Sequence, residues 1–246
     1  MVQAMNKYIS TFITIVAGML FSMSAMAYDG ARLWLPAASD ANGATVKLEA
    51  KGAAAAIAAQ ELRDSWSGNG TVVLRVKRDK ALGEDGYRII PSGDNLTVTA
   101  NSGTGLLYGA YHLLRMQSMG KPVDSVITEV PAFDLRVLNH WDNLDGTIER
   151  GYAGKSLWKW EELPGKVSPR YKEYARANAS VGINGVVLNN VNASSRILSR
   201  EYIEKVRVLA DIFRPYGIKV YLSANFAAPM QLDSLPTADP LDKDVA

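Results

Sequence analysis

Strand and helix patterns alternate through the second half of the chain, and this alternation limits its possible folds more than any other feature. Three short apolar runs, "RVL", "GVVL" and "KVYL", are separated by two amphipathic segments, "SPRYKEYARANASVG" and "SREYIEKVRVLADIFRPYG". Helical segments between short strands indicate βαβ units, whose strands are parallel and lie in one sheet. The sequence therefore predicts a parallel sheet over residues 132–246.

Two folds are built from such units, the doubly wound sheet and the (β/α)8 barrel. A barrel brings the carboxyl ends of its strands to one mouth, whereas a dinucleotide-binding sheet concentrates its signal in a glycine-rich first turn. That turn is missing here. Polar and aromatic residues follow all three strands instead: Asn139, His140, Trp141 and Asp142, then Asn189, Asn190 and Asn192, then Ser223, Asn225 and Phe226. The pattern favours the barrel.

The chain from Tyr28 to Pro131 has the mixed pattern of a small α/β domain. Strand-like "ATVKLEA" and "TVVLRVKR" flank an alanine-rich helical segment, and "GYRIIPSGDNLTVTA" is typical of a hairpin. A second helical segment, "GTGLLYGAYHLLRMQSMG", precedes a proline-containing link, "TEVPAFD". We predict an α/β protein: a small N-terminal α/β domain at 28–131, then the first three βα units of a (β/α)8 TIM barrel at 132–246.

The glycine-rich start of the second helical segment invites a nucleotide-site interpretation, because helix N-termini bind anions. Neither a Gly-x-Gly-x-x-Gly nor a Gly-Lys-Ser/Thr spacing is present. Close packing of the helix on a sheet through Gly105 and Gly109 is the favoured explanation. His112, in the same helix, is expected to be a packed or surface histidine and not a ligand.

The first 27 residues have the pattern of a signal peptide. Lys7 supplies the positive start, "ISTFITIVAGMLF" the apolar region, and Ala25, Met26 and Ala27 the small-x-small cleavage site. A membrane anchor is the alternative, but the apolar run is short for a bilayer span of roughly 20 residues. We therefore expect a mature chain that starts at Tyr28 and is secreted or periplasmic.

Composition argues against several other classes of function. The net charge is only +2 and the basic residues are scattered, so neither nucleic acid nor an anionic membrane is expected as a partner. The absence of cysteine removes disulfides, thiolate metal sites and cysteine nucleophiles. With His112 and His140 as the only histidines, we predict no metal and no cofactor.

The residues at the predicted mouth are of the kind that recognise a hydroxyl-rich ring. Asparagine offers a donor and an acceptor to adjacent hydroxyls, and an indole covers the C–H face of a sugar. Asparagine is also common in turns after strands, so a turn role remains the alternative. Trp158 and Trp160 either pack on the scaffold of their own loop, which is favoured, or line an oligosaccharide groove.

Three acids, Asp142, Asp145 and Glu149, lie near the predicted mouth. A glycosidase normally uses two carboxyl groups on either side of the scissile bond, and barrel enzymes draw such groups from several strand ends. All three acids come from one loop. Each is therefore predicted to order the loop or to orient a substrate, with Asp142 the best placed.

Four segments resemble the start of the catalytic barrel of the α-glucuronidases of glycoside hydrolase family 67: "LNHWDNLDGTIERGYAGKSLW", "YARANASVGINGVVLNNVNA", "FRPYGIKVYLSANFAAPMQL" and "TADPLD". "GLLYGAYHLLR" is similar to the end of that family's N-terminal α/β domain. The resemblance implies an inverting hydrolase of xylan catabolism. It implies cleavage of the α-1,2 link between (4-O-methyl)glucuronic acid and xylose in xylan-derived aldouronic acids.

The resemblance also implies roles for particular residues. Trp141 and Val191 match the positions that enclose the 4-O-methyl group, and our substrate-binding candidates are Trp141, Val191, His140, Asp142, Asn190 and Asn225. The family's acid and base lie on later strands, so the resemblance places them beyond Ala246, with none among the residues given. The chain is thus expected to be an N-terminal fragment, inactive alone, of a full-length protein that could form a homodimer.

Two other functions remain open at this point. One is a non-catalytic carbohydrate-binding polypeptide. The other is a different barrel glycoside hydrolase, such as a hexosaminidase, whose preceding domain is also α/β.

Overall fold

This computed structural model describes residues 33–35 and 45–243. The predicted signal peptide, residues 1–27, lies outside them. Within the described residues the chain forms two β-sheets, one after the other, and five α-helices. Both sheets belong to one unit, Leu33–Ala246, and the domain boundary at Pro131 stays a prediction.

The first sheet contains five strands: β1 (Thr45–Glu49), β2 (Thr71–Val76), β3 (Tyr87–Ser92), β4 (Asn95–Ala100) and β5 (Ile127–Glu129). Their order is β1-β2-β4-β3-β5, with β1, β2 and β4 parallel and β3 antiparallel to both of its neighbours. The predicted hairpin is confirmed, since Ser92 pairs with Asn95 at its turn. Strand β5 was missed in the predicted link, because three residues are too few to show an alternating pattern.

Helices α1 (Ala53–Ser65) and α2 (Gly103–Ser118) pack against each other and against this sheet. The strands place apolar residues on the face of the sheet that the helices cover, where Val72, Leu74 and Val98 are fully buried. A Cβ built on Gly105 would lie 2.8 Å from the Gly86 carbonyl oxygen, and one on Gly109 would lie 2.5 Å from Val98 Cγ1. The predicted close packing of both glycines is therefore confirmed.

Substituting alanine for Gly109 is expected to lower the free energy of unfolding by about 1–3 kcal/mol, the usual cost of overpacking a core. The clash with Val98 and with the Tyr87 ring, 3.3 Å from the new Cβ, should exceed the gain of roughly 1 kcal/mol that alanine brings to a helix interior. Urea unfolding would measure the loss. Val98→Ala should then cost less in the Gly109→Ala background than in the natural sequence, and equal costs would contradict the packing argument.

The second sheet contains three parallel strands, β6 (Val137–Asn139), β7 (Gly185–Val187) and β8 (Lys219–Tyr221), in that order. Helix α3 (Arg170–Ser180) connects β6 to β7, and α4 (Arg200–Phe213) connects β7 to β8. A short helix, α5 (Ala228–Asp233), follows β8. The predicted βαβ units are confirmed, whereas closure of this sheet into a barrel stays a prediction.

The two faces of the second sheet differ. By register, Leu138, Val186 and Val220 share one face, and Asn139, Val187 and Tyr221 share the other. Val186 is buried in a core that also holds Tyr171 of α3 and Phe213 of α4. Asn139 and Tyr221 are exposed, and on the first face Leu138, in the edge strand β6, is 38% exposed. The helices therefore cover the first face around β7 and β8, and we call the second the open face.

Among the described residues, two ion pairs connect the first layer, which is the first sheet with α1 and α2, to the second layer, which is the second sheet with α3 and α4. Glu61 of α1 accepts hydrogen bonds from Arg176 Nε and Nη2 of α3, both at 2.6 Å. Arg136 Nη2, just before β6, donates to Asp85 Oδ2 at 2.7 Å. Because Glu61 is buried and the Arg136–Asp85 pair largely so, the two layers are held by charges that are poorly screened by solvent.

Candidate functional site

The chain keeps the two-residue alternation of a strand beyond the end of β6. Asn139 is exposed, His140 is half-buried, Trp141 is 42% exposed and Asp142 is 2% exposed. Successive side chains in extended backbone point to opposite faces. Trp141 is thus presented on the side of the open face, while His140 and Asp142 turn towards the helices.

His140 contacts α3 and the loop that follows β6. Its Nε2 lies 2.6 Å from the Tyr174 hydroxyl, and its ring packs on Trp158 at 5.1 Å between centroids. Burial, with a smaller contribution from the Asp142 carboxylate, raises the pKa of Tyr174 to about 12. The other ring nitrogen of His140, Nδ1, faces Asp142 Oδ1 at 3.6 Å, too far for a hydrogen bond.

Asp142 makes contacts that hold together the loop from His140 to Lys155. Its Oδ2 accepts a short hydrogen bond from Ser156 Oγ (2.5 Å), and it forms an isolated bridge with Ile148. Ser156 Oγ also accepts from the Trp158 amide at 2.9 Å. A buried carboxylate needs such donors, and here they tie the two ends of the loop together.

Asp145 and the backbone of Glu149 also make contacts within this loop. Asp145 Oδ1 accepts from the Thr147 hydroxyl (2.7 Å) and amide (2.9 Å), and these bonds lower the pKa of Asp145. Glu149 has a positive φ of 58° and its amide donates to the Trp141 carbonyl at 2.8 Å. Asp145 and the Glu149 backbone therefore order the loop.

Asparagines connect the carboxyl ends of the three strands. The Asn190 amide donates to the Asp142 carbonyl at 2.8 Å, which joins the ends of β6 and β7. The Asn189 side chain both accepts from and donates to the Ser223 backbone, each at 2.9 Å, which joins the ends of β7 and β8. The structure thus brings the three strand ends together, through the backbone of Asn190 and the side chain of Asn189.

The remaining predicted binding residues lie at the same edge of the sheet. Val191 is 43% exposed and follows Asn190, whose backbone amide bonds to the carbonyl of Asp142, the residue after Trp141. Asn190 Oδ1 accepts from the Asn192 amide, and Asn225 Oδ1 from the Ala227 amide, in local turns. Sugar contacts by these residues, by His140 and by Asp142 stay predictions.

Two tryptophans of the loop region lie in the core. Trp158 and Trp160 are each 1% exposed. Trp158 packs against Tyr171, Tyr174 and Phe213, with ring centroids 5.6–5.9 Å apart. The favoured interpretation, packing on their own scaffold, is confirmed.

His112 is a packed histidine, as predicted. Its Nδ1 lies 2.7 Å from the Tyr87 hydroxyl, between α2 and β3 of the first layer. Burial lowers the pKa of His112. The two histidines of the chain thus make the same kind of contact, each with one tyrosine hydroxyl.

Sequence analysis missed Tyr174 and Ser156, the two partners of the residues that flank Trp141. Tyr174 follows His140 by 34 residues and Ser156 follows Asp142 by 14. Neither separation belongs to a helix or strand period, so no sequence signal joins them. The position of Tyr174 on the buried side of α3 is the one clue that it packs beneath the sheet.

No metal or membrane signal arises in the part of the chain that the structure describes. Among residues 33–35 and 45–243, no group of three or more His, Cys, Asp and Glu side chains is arranged to hold a metal ion. The same residues contain no helix long and apolar enough to cross a bilayer.

Comparison with known protein families decides the classification. Residues 116–246, more than half of the chain, match the glycosyl hydrolase family 67 middle domain. The chain belongs to glycoside hydrolase family 67. Residues 24–130 match a second family model, glycosyl hydrolase family 20, domain 2. Our resemblance-based prediction of the family is confirmed.

The family 67 chain has curated relatives in fungi. It is 42% identical over 164 residues to probable alpha-glucuronidase A of Aspergillus clavatus, a match that covers 67% of this chain and 20% of the relative. It is 40% identical over 167 residues to alpha-glucuronidase A of Emericella nidulans, covering 66% and 20%. The chain therefore spans about a fifth of the length of these relatives.

Solved structures of other glycosidase families share its fold. A family GH115 4-O-methyl-alpha-glucuronidase with specificity for decorated arabinogalactans has a TM-score of 0.51 at 10% identity, covering 82% of this chain and 32% of that one. A GH138 enzyme targeting pectin rhamnogalacturonan II has a TM-score of 0.51 at 16% identity, covering 73% and 24%. At such low identity the likeness concerns the α/β fold alone.

Proposed function

We propose that the protein to which this chain belongs is an α-glucuronidase. It hydrolyses, with inversion, the α-1,2 link between (4-O-methyl)glucuronic acid and xylose in xylan-derived aldouronic acids. The observation that carries the proposal is that the partly exposed side chains of Trp141 and Val191 follow neighbouring strands of a parallel sheet, at the edge where the strands end. Family 67 membership and the names of the fungal relatives support it.

The second sheet is proposed to be the first part of a (β/α)8 barrel. Its parallel strands lie in consecutive order, and a helix connects each consecutive pair; right-handed crossovers of this kind place both helices on one face. In a barrel the open face lines the interior, and the carboxyl ends of the strands form the active site. This supports a mouth built around Trp141 and completed by further strands.

Within this mouth, Trp141 and Val191 are proposed to enclose the methyl group and the C–H face of the uronic acid. An indole face and a valine side chain offer apolar surface but no charge, which suits a methyl ether. Two of the three acids near the mouth are committed elsewhere: Asp142 is buried against Ser156, and Asp145 is bonded to Thr147. In line with the family resemblance, the proposal assigns the catalytic acid and base to later strands of the complete protein, outside residues 1–246.

The proposal also includes export from the cytoplasm. The support is the signal-peptide pattern of residues 1–27, with its lysine, apolar run and Ala-Met-Ala site. An enzyme exported in this way would act on xylan-derived oligosaccharides outside the cytoplasm.

The test is to incubate the complete protein with methylated and unmethylated aldouronic acids and to follow the products by proton NMR. Release of the free uronic acid, first as the β-anomer, is expected from an inverting cleavage of an α-link. Binding without release would favour a non-catalytic carbohydrate-binding protein. Cleavage of hexosamine oligosaccharides in place of aldouronic acids would favour the hexosaminidase alternative.

Replacing Trp141 by alanine should reduce kcat/KM for the methylated substrate about fivefold more than for the unmethylated one. The reason is that a buried methyl contact is worth roughly 1 kcal/mol, and 1.4 kcal/mol is a factor of ten. Phe133→Ala is the matched control, since Phe133 is an aromatic residue that is 74% exposed and precedes β6, at the opposite end of the strand from Trp141, so the substrate ratio should not change. Equal losses on both substrates in Trp141→Ala would contradict the assignment of the methyl group to this indole.

A further inference from the structure

Four polar side chains lie beneath Trp141, on the side of the chain that faces the helices. Tyr174 bonds to His140 Nε2 at 2.6 Å, His140 Nδ1 faces Asp142 Oδ1 at 3.6 Å, and Asp142 Oδ2 accepts from Ser156. We call these four residues the Trp141 support. They come from helix α3, from the end of β6 and from the far end of the loop, so they join three separate segments.

Trp141 depends on its two neighbours for its position. A half-exposed indole lacks the close packing that fixes a core side chain, so its direction follows from its backbone. That backbone is held on one side by His140 and on the other by Asp142, both members of the support. The Trp141 carbonyl also accepts from the Glu149 amide at 2.8 Å, which ties it to the loop that Asp142 organises.

The same contacts argue against a direct sugar-binding role for His140 and Asp142. Asp142 is 2% exposed, with one carboxylate oxygen bonded to Ser156 and the other facing His140. His140 has one ring nitrogen at the Tyr174 hydroxyl and the other towards Asp142. Every polar atom of the two side chains therefore faces a group of the protein itself.

We propose that His140 and Asp142 are positioning residues, which act together with Tyr174 and Ser156 to fix Trp141 against the sugar. The inference rests on the proposed function for the identity of the sugar. It differs from our sequence-based prediction, in which His140 and Asp142 contact the substrate directly. It also assigns a role in substrate selection to Tyr174, a residue of an outer helix.

The first test compares Tyr174→Phe with Tyr87→Phe in the complete protein. Each variant removes one hydroxyl from a tyrosine–histidine pair, at 2.6 Å and 2.7 Å respectively, and leaves the ring in place. A purely structural role predicts the same effect from both. We expect Tyr174→Phe alone to lower the ratio of kcat/KM for methylated over unmethylated aldouronic acid. The expected fall is roughly threefold, which corresponds to losing about half or more of the net free energy of one hydrogen bond.

A double-mutant cycle then asks whether Tyr174 acts through Trp141. In the Trp141→Ala background, Tyr174→Phe should leave the substrate ratio unchanged, because the indole that it positions is absent. Independent, multiplicative effects of the two changes would overturn the proposal. So would an equal fall of the ratio in Tyr87→Phe.

A second measurement does not depend on activity. In protein labelled with 5-fluorotryptophan, the fluorine resonance of Trp141 is assigned by its loss in Trp141→Phe. We expect that resonance to shift or broaden in Tyr174→Phe and in Ser156→Ala, and to stay in place in Tyr87→Phe. If the resonance stays in place in both Tyr174→Phe and Ser156→Ala, these residues do not position Trp141 and the inference is wrong. If the resonance moves but the complete protein releases no uronic acid, only the proposed function is wrong.

Discussion

Replacing Arg176 by methionine is expected to lower the free energy of unfolding by about 3–5 kcal/mol, as is usual when a buried ion pair loses one partner. The Arg176 guanidinium donates to both Glu61 carboxylate oxygens at 2.6 Å, and Glu61 is 7% exposed. Without Arg176, the hydroxyl of Tyr111, at 3.2 Å, is the hydrogen-bond donor that remains to the buried charge among the described residues. Because Glu61 belongs to α1 and Arg176 to α3, the loss should loosen the contact between the two layers.

Urea unfolding followed by tryptophan fluorescence would measure this change, and two further variants make the result specific. Arg207→Met breaks an exposed i,i+3 pair with Glu204 in α4, and it should cost less than about 1 kcal/mol. The double variant Glu61→Leu with Arg176→Met removes both charges and should recover most of the stability. A double variant as unstable as Arg176→Met would show that packing, and not the uncompensated charge, causes the loss.

Trp158→Ala should also destabilise the chain by about 3–5 kcal/mol, the range for truncating a large buried aromatic residue. Trp158 is 1% exposed and packs against His140, Tyr171, Tyr174 and Phe213. Removal of the indole leaves a cavity between the loop after β6 and helices α3 and α4. The same change removes the surface on which the His140 ring rests.

Trp141→Ala is the matched control for Trp158→Ala. It deletes the same side chain from a position that is 42% exposed, so the expected loss of stability is below about 1.5 kcal/mol. Trp158→Ala should thus affect mainly stability, and Trp141→Ala mainly substrate selection. Similar urea midpoints for both would contradict the different burial of the two indoles.

Much of the fold follows from local patterns that the sequence displays. The alternation of strand and helix segments predicts the βαβ order, and the turn residues between Ser92 and Asn95 predict the hairpin. Strand β5 has three residues and no alternation to detect, and its pairing with β3 depends on the sheet being already formed. Short edge strands of this kind are decided by tertiary contacts.

The candidate site also combines features that the sequence predicts with features that only the tertiary structure decides. The sequence by itself determined the family, through motifs around Trp141, and predicted that the polar residues after three strands would meet at one edge. Those inferences depend on residue type and spacing alone. Only the tertiary structure decided which of these residues face outward, because Tyr174 and Ser156 reach His140 and Asp142 through the packing of α3 and the closure of the loop. Their contacts turn His140 and Asp142 inward and leave Trp141 half-exposed.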